Sequence, residues 1–205
     1  MNQPVPPSDL SFERLHGAAI AARVPALAEL RSQVFRDWPY LYEGSTAYEI
    51  EYLQMYLSSP RSLAVLVHDG ERIVGATTML PLVDAPADLQ QPFLTAGFDR
   101  ERVAYFGESV LLREYRGRGL GVAFFSERER HARALGLPLC AFCAVDRAVD
   151  DPRKPVDYVG NDLFWTHRGY QRQPQMQSSL SWPDIGEAVS SAKPMTFWLR
   201  EMPAA

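Results

Sequence analysis

The chain has 205 residues, 46% hydrophobic and 22% charged, enough for one substantial core and short for two independent ones. A formal net charge of −4 supplies no global positive field for a polyphosphate backbone, which argues against a general nucleic-acid binder. No stretch approaches the roughly 20 consecutive apolar residues of a spanning helix, and Met1 to Leu10 is polar and proline-rich without the layout of a secretory signal. These features lead to the expectation of a single domain over residues 1–205, with 1–10 frayed, in a soluble cytoplasmic protein that binds neither nucleic acid nor membrane. Any anion site must be local.

Phe12 to Leu15 reads as a short first strand. Leu27, Leu30 and Val34 then set a helical face that Trp38 continues, with Pro25 in its first turn and Pro39 as its stop. After an aromatic loop, Trp38 to Gly44, Ser45 or Thr46 can cap a second helix with Ile50, Leu53 and Leu57 on one side. Leu63 to Val67 and Arg72 to Leu80 read as two strands, and Asp69-Gly70 between them supplies the positive φ of a tight hairpin. Pro81 to Arg102 is loop-like with room for a short helix, and Val103 to Leu112 is a third long strand.

From Leu120 to Leu135 the pattern is again helical. Leu120, Phe124, Ala132 and Leu135 share a face, Glu127, Glu129, Arg130 and Arg133 point away, and Gly136 is a natural stop. Leu139 to Val145 follows as a strand, so strand, turn, helix and strand form a βαβ unit with parallel neighbours. A charged loop, Asp146 to Asp157, precedes a helix at about Gly160 to Arg168, and the tail adds strands at Met176 to Trp182 and Met195 to Arg200. Cys140 and Cys143 form a C-x-x-C, half of a four-ligand zinc site. In a strand, residues three apart point to opposite faces, so two packed thiols are expected and no metal.

The third strand runs directly into Arg116-Gly-Arg-Gly-Leu-Gly121 at the start of the helix. Alternating glycines let a ligand approach the backbone, and the helix N-terminus turns several N–H groups and partial positive charge toward one point, where a pyrophosphate fits. Arg113, Arg116, Arg118, Arg128, Arg130 and Arg133 make the segment locally basic against Glu114, Glu127 and Glu129. Val122 and Phe124 break the dinucleotide spacing G-x-G-x-x-G, and a P-loop G-x-x-x-x-G-K-[ST] does not occur. What remains is R-x-x-G-x-G at Arg116, Gly119 and Gly121.

With that motif in its strand-turn-helix setting, the sequence resembles the GNAT superfamily of acyl-CoA-dependent N-acyltransferases. The resemblance runs from about Phe12 through the tail and is strongest over Gly107 to Gly121 with the following helix. It implies an α+β fold whose mixed, mostly antiparallel sheet is flanked by helices, and acetyl-CoA as donor. It makes Val110, Leu111 and Leu112 the edge that pairs with the pantetheine arm. Arg116, Gly117, Arg118, Gly119, Leu120, Gly121 and Val122 become the pyrophosphate cradle. The acceptor side is the aromatic loop with the next helix, where Tyr40 and Tyr42 are expected to bind a flat or cationic amine.

An alkyl amine with pKa about 10 is mostly protonated at neutral pH, so acyl transfer needs a group that removes a proton. Glu108 stands where some family members carry a catalytic carboxylate; it either acts as that base or only orients the amine and pairs with an arginine. The resemblance also suggests a backbone amide near Leu111 as oxyanion donor. Relatives place a thiolate-protonating tyrosine four residues before the Gly-aromatic pair, here Gly169-Tyr170, and Trp165 stands there instead. Tyr158, water or unassisted departure are the alternatives. Asn161 reads as a helix cap, and His68, His131 and His167 as ordinary surface or boundary residues.

The leading expectation is an N-acetyltransferase acting on a primary amine of a small molecule or peptide by direct attack in a ternary complex, with a homodimer compatible with the strand-rich tail. A non-catalytic acyl-CoA sensor or scaffold is the alternative, and a nucleotide-binding domain is the weakest reading.

Overall fold

The computed structural model describes residues 10–203, so the expected frayed start lies outside the described residues except for Leu10, which opens the first strand. Seven strands form one sheet: β1 Leu10–Leu15, β2 Leu63–Asp69, β3 Arg72–Pro81, β4 Val103–Leu111, β5 Leu139–Val145, β6 Gln171–Trp182 and β7 Ser191–Glu201. Their order is β1-β2-β3-β4-β5-β7-β6. All neighbours are antiparallel except β4 and β5, which the helix between them makes parallel. The helices are α1 Val24–Phe35, α2 Thr46–Ser58, α3 Ala87–Thr95, α4 Leu120–Ala134 and α5 Asp162–His167. This is the expected α+β class.

Two apolar clusters divide along the sheet. Leu27 of α1, Leu53 of α2 and Phe93 of α3 pack with Val103, Tyr105 and Phe197 on one side. Phe125 of α4 and Phe164 of α5 pack with Phe106, Phe142 and Trp198 on the other. Cys140 belongs to the second cluster and Cys143 to the first, so the two thiols lie on opposite faces of β5, both free and buried.

Four local features differ from the sequence pattern. Helix α1 stops at Phe35 rather than running on to Trp38, because the chain folds back: Leu41 N–H donates to Asp37 O and Tyr42 N–H to Phe35 O. Helix α2 is capped by Ser45 Oγ as expected, yet it buries Glu49, Leu53 and Tyr56 and leaves Ile50 40% exposed. A buried ion pair between Glu49 and Arg31 of α1 decides that rotation. On α4, Glu127 and Glu129 turn inward: Glu127 accepts from Arg14, and Glu129 from Tyr170, Arg168 and Arg200. Asn161 precedes α5 at the cap position, but its side chain makes no capping bond; its carbonyl accepts from Trp165 N–H.

Strand β4 carries a bulge opposite Thr78, where Gly107 and Glu108 together face one residue of β3. Glu108 N–H donates to Thr78 Oγ1 at 3.2 Å, and Thr77 Oγ1 donates to Glu108 O at 2.8 Å. Both bulged residues therefore face α2: Glu108 by its side chain, Gly107 by leaving room for a tyrosine. A Cβ at Gly107 would stand 1.7 Å from Tyr56 Oη and 2.8 Å from Thr78 Oγ1. Gly107→Ala should cost about 1–3 kcal/mol through overpacking, seen as a lower denaturant midpoint at constant slope. A variant as stable as the parent would show that this close approach does not exist.

Candidate active site

The site begins with a break in strand pairing. β4 and β5 pair only at Val103–Leu139, Ala104–Cys140 and Tyr105–Ala141. Beyond Tyr105, β4 stays on β3 as far as Leu111–Gly75, and β5 stays on β7 as far as Val145–Met195. The two strands part toward their C-terminal ends. Leu112 N–H donates to Val74 O of β3, and backbone direction alternates along a strand, so Leu111 turns its N–H and carbonyl to the open side. The carbonyl of Leu111 accepts from Arg116 Nε at 3.2 Å, which leaves the N–H as the group facing the opening. By the same alternation Val110 and Leu112 direct their backbone groups to β3, so of the three residues expected at this edge Leu111 alone turns its backbone to the open side.

The glycine turn lies at the end of β4. Gly117 and Gly119 take φ of 75° and 80°, a left-handed conformation open to glycine, and no atom lies within 4 Å of where either Cβ would be. Ala123 N–H is the first in α4 to bond back along the chain, to Gly119 O, so the N–H groups before it open outward at the positive end of the helix. Arg113, Arg116 and Arg118 ring this end and are exposed. Arg113 and Arg116 share Asp37 at 3.3 and 3.4 Å, and Arg118 donates to Glu114 O. Leu120 packs inward, and Val122 is partly exposed.

On the α1–α2 side of β4, Glu108 is 3% exposed. Its Oε2 lies 2.6 Å from Arg31 Nη1, accepts from Tyr52 Oη at 3.2 Å and is 3.5 Å from Tyr56 Oη. Its Oε1 has no partner among the described residues. Arg31 also donates through Nε to Glu49 and is covered by the rings of Tyr52, at 4.1 Å, and Phe35, at 5.0 Å. Burial draws the guanidinium's pKa down, but Glu108 and Glu49 push it up further, and it ends well above its ordinary value. Glu108 lines a cleft open to solvent whose wall includes Phe35, Tyr40, Tyr42, Tyr52, Tyr105 and Trp182. Burial raises the pKa of Tyr40, Tyr42, Tyr52 and Tyr56, so these hydroxyls are neutral near pH 7.

Residues 27–155 match the acetyltransferase (GNAT) family. The chain belongs to this family. Solved structures with the same fold include yncA from Salmonella typhimurium, assigned as an acetyltransferase and solved with its cofactor acetyl-CoA, at TM-score 0.55 and 11% identity over 96% of this chain and 95% of that one. A GCN5-related N-acetyltransferase from Kribbella flavida gives 0.56 and 16% over 96% and 99%. An acetyltransferase from Streptococcus agalactiae 2603 gives 0.57 and 12% over 94% and 98%. No curated protein matches the sequence.

Within this GNAT chain, sequence patterning singles out neither Arg31, Tyr52 and Tyr56 as partners of Glu108 nor Glu49 as the second partner of Arg31. The signal was present in part: positions 49, 52, 53 and 56 follow helical spacing, but three of them are polar or amphipathic. Trp165 packs in an apolar wall on the far face, 5.0 Å from Phe142 and 5.1 Å from Trp198. Tyr158 is half-buried and edge-on to Trp38 at 6.2 Å, and burial raises its pKa. His68 meets Glu13, His131 meets Arg61 O, and His167 is exposed. No group of His, Cys, Asp and Glu suited to a metal occurs among the described residues, nor a helix long and apolar enough to cross a membrane.

The loop bearing Tyr40 and Tyr42 is fixed by a second ion cluster. Arg147 donates to Pro39 O and Tyr40 O and holds Asp184 through both terminal nitrogens, at 2.8 and 2.9 Å. Arg153 and Lys193 also reach Asp184, and Tyr42 bridges to it along the backbone. Burial alone would raise the Asp184 carboxyl's pKa, but these three cations hold it down at about 2. A depressed carboxyl stabilises the fold above its unfolded pKa, about 3.9, and loses that contribution as pH falls through the folded value. Asp184→Asn should therefore be less stable than the parent at pH 7, with the difference shrinking between about pH 4 and pH 2. A difference independent of pH in thermal melts would rule out the ion cluster as its source.

Proposed function

We propose that this GNAT protein transfers the acetyl group of acetyl-CoA to a primary amine of an acceptor held in the cleft over Glu108, with both substrates bound together. The observation that supports this most is the parting of β4 and β5 beyond Tyr105, because Glu108 and Leu111 both lie on the parted stretch of β4 and the glycine turn follows it. The turn fits a pyrophosphate because Gly117 and Gly119 leave empty space where side chains would stand, and residues 116–122 would hold it through backbone N–H groups and flanking arginines. Leu111, with its neighbours Val110 and Leu112, would form the strand edge along the pantetheine arm.

Coenzyme A supplies an acyl group activated as a thioester. In the reaction, a C–N bond forms at the acetyl carbonyl carbon, the C–S bond breaks, and sulfur leaves as a thiolate that takes up a proton. Glu108 Oε1 receives a proton from the amine, while Arg31, Tyr52 and Tyr56 fix the other carboxylate oxygen and so the orientation of the group. Leu111 N–H is placed to stabilise the developing oxyanion. With Trp165 at the acid position, Tyr158 or water would protonate the thiolate, or it would leave unassisted. Tyr40 and Tyr42 contribute ring faces to the acceptor.

Acetyl-CoA incubated with a panel of amines should release free coenzyme A thiol in the presence of some of them. Glu108→Gln should slow that release at neutral pH by about a hundredfold or more and recover part of it at higher pH, where more of the amine is already deprotonated. An unchanged pH–rate profile would remove Glu108 as base. Tight acetyl-CoA binding without turnover of any amine would support instead a sensor role, which the displacement of a usable acid by Trp165 favours.

A further inference from the structure

The lining of the cleft contains one basic side chain among the described residues, Arg31. That guanidinium is already engaged: Nε donates to Glu49, Nη1 lies 2.6 Å from Glu108, and aromatic rings cover it. One positive charge against two carboxylates gives the cluster a formal sum of −1. Glu108 Oε1 is buried without a partner among the described residues, and Glu108 lines the cleft. A buried anionic oxygen that lacks a donor is costly, and a guest ammonium would supply both the donor and the missing charge. Most of the side chains that line the cleft are aromatic.

We propose that the acceptor is an amine whose ammonium is its only charge, mounted on an aromatic or apolar body, and that amino acids and other zwitterions are rejected. This rests on the cleft being the acceptor site. The ammonium sits at Glu108 Oε1 and the body lies among Tyr40, Tyr42, Tyr105 and Trp182. A carboxylate beside the amine would find no free cation and would add a third negative charge to a cluster that already has an excess, a repulsive element that discriminates by penalty rather than by better contact.

The test compares pairs that differ by that carboxylate: phenethylamine with phenylalanine, and tryptamine with tryptophan. 3-Phenylpropionate serves as an acid lacking the amine. Calorimetry on the full chain saturated with coenzyme A reads binding without turnover. At least one of the two amines should bind about tenfold or more tighter than its amino acid, and 3-phenylpropionate should show no saturable binding. Glu108→Gln should weaken that amine at least about tenfold, with coenzyme A affinity retained as the sign of an intact fold. Amino acids binding as well as the amines, or neither amine binding, would overturn the proposal. An amine that binds selectively but is never acetylated would sink the proposed reaction and leave this assignment of the cleft standing.

Discussion

The structure depends on where two parallel strands stop pairing. β4 and β5 share three residue pairs and are then held apart, each by an antiparallel neighbour that keeps its own register. The backbone groups left on the inner edge of β4 need partners, and a buried edge without them would be destabilising. The opening is thus a defect in the sheet, and the proposed pantetheine arm, with donors and acceptors of its own, would fill it. The glycine turn follows from the same geometry, because α4 must start where β4 ends and its N–H groups open beside the gap.

The bulge at Gly107 and Glu108 adds the second requirement. It turns a charged side chain into a space roofed by α1 and α2, and Arg31 and Glu49 surround that charge within the core. Buried ion pairs of this kind contribute little net stability, since the desolvation of each charge offsets much of the attraction. Their effect here is positional: Oε2 of Glu108 is fixed by three donors, and Oε1 is left without one among the described residues. The Asp184 cluster does comparable work at the rim, tying the loop of Tyr40 and Tyr42 to the turn between β6 and β7.

Much of this was legible in the sequence. The order of strands and helices, the Asp69-Gly70 hairpin, the βαβ unit and the position of Arg116 to Gly121 all follow from local chemistry that tertiary contacts reinforce. The family resemblance rested on the same segment, and the match over residues 27–155 includes it. Glu108 was visible as a carboxylate on a strand, but its partners were not. Arg31, Tyr52 and Tyr56 are distant in sequence, and hydrophobic periodicity assigns charged residues outward by default. Glu127 and Glu129 failed for the same reason, because pairing with Arg14 and Arg200 across the fold inverts the preference of a carboxylate for solvent. The turn after Phe35 was misplaced because the backbone bonds that end α1 come from residues beyond it.

The central claim is that the gap between β4 and β5 and the turn after it form one binding surface for coenzyme A. A crystal structure of the protein grown with coenzyme A tests it most directly. The account predicts the pyrophosphate on the N–H groups of the turn from Gly117 to Val122, and the pantetheine arm between the parted strands, within hydrogen-bonding distance of the backbone of Leu111. A pyrophosphate bound away from the turn, or an arm lying outside the gap, would contradict it.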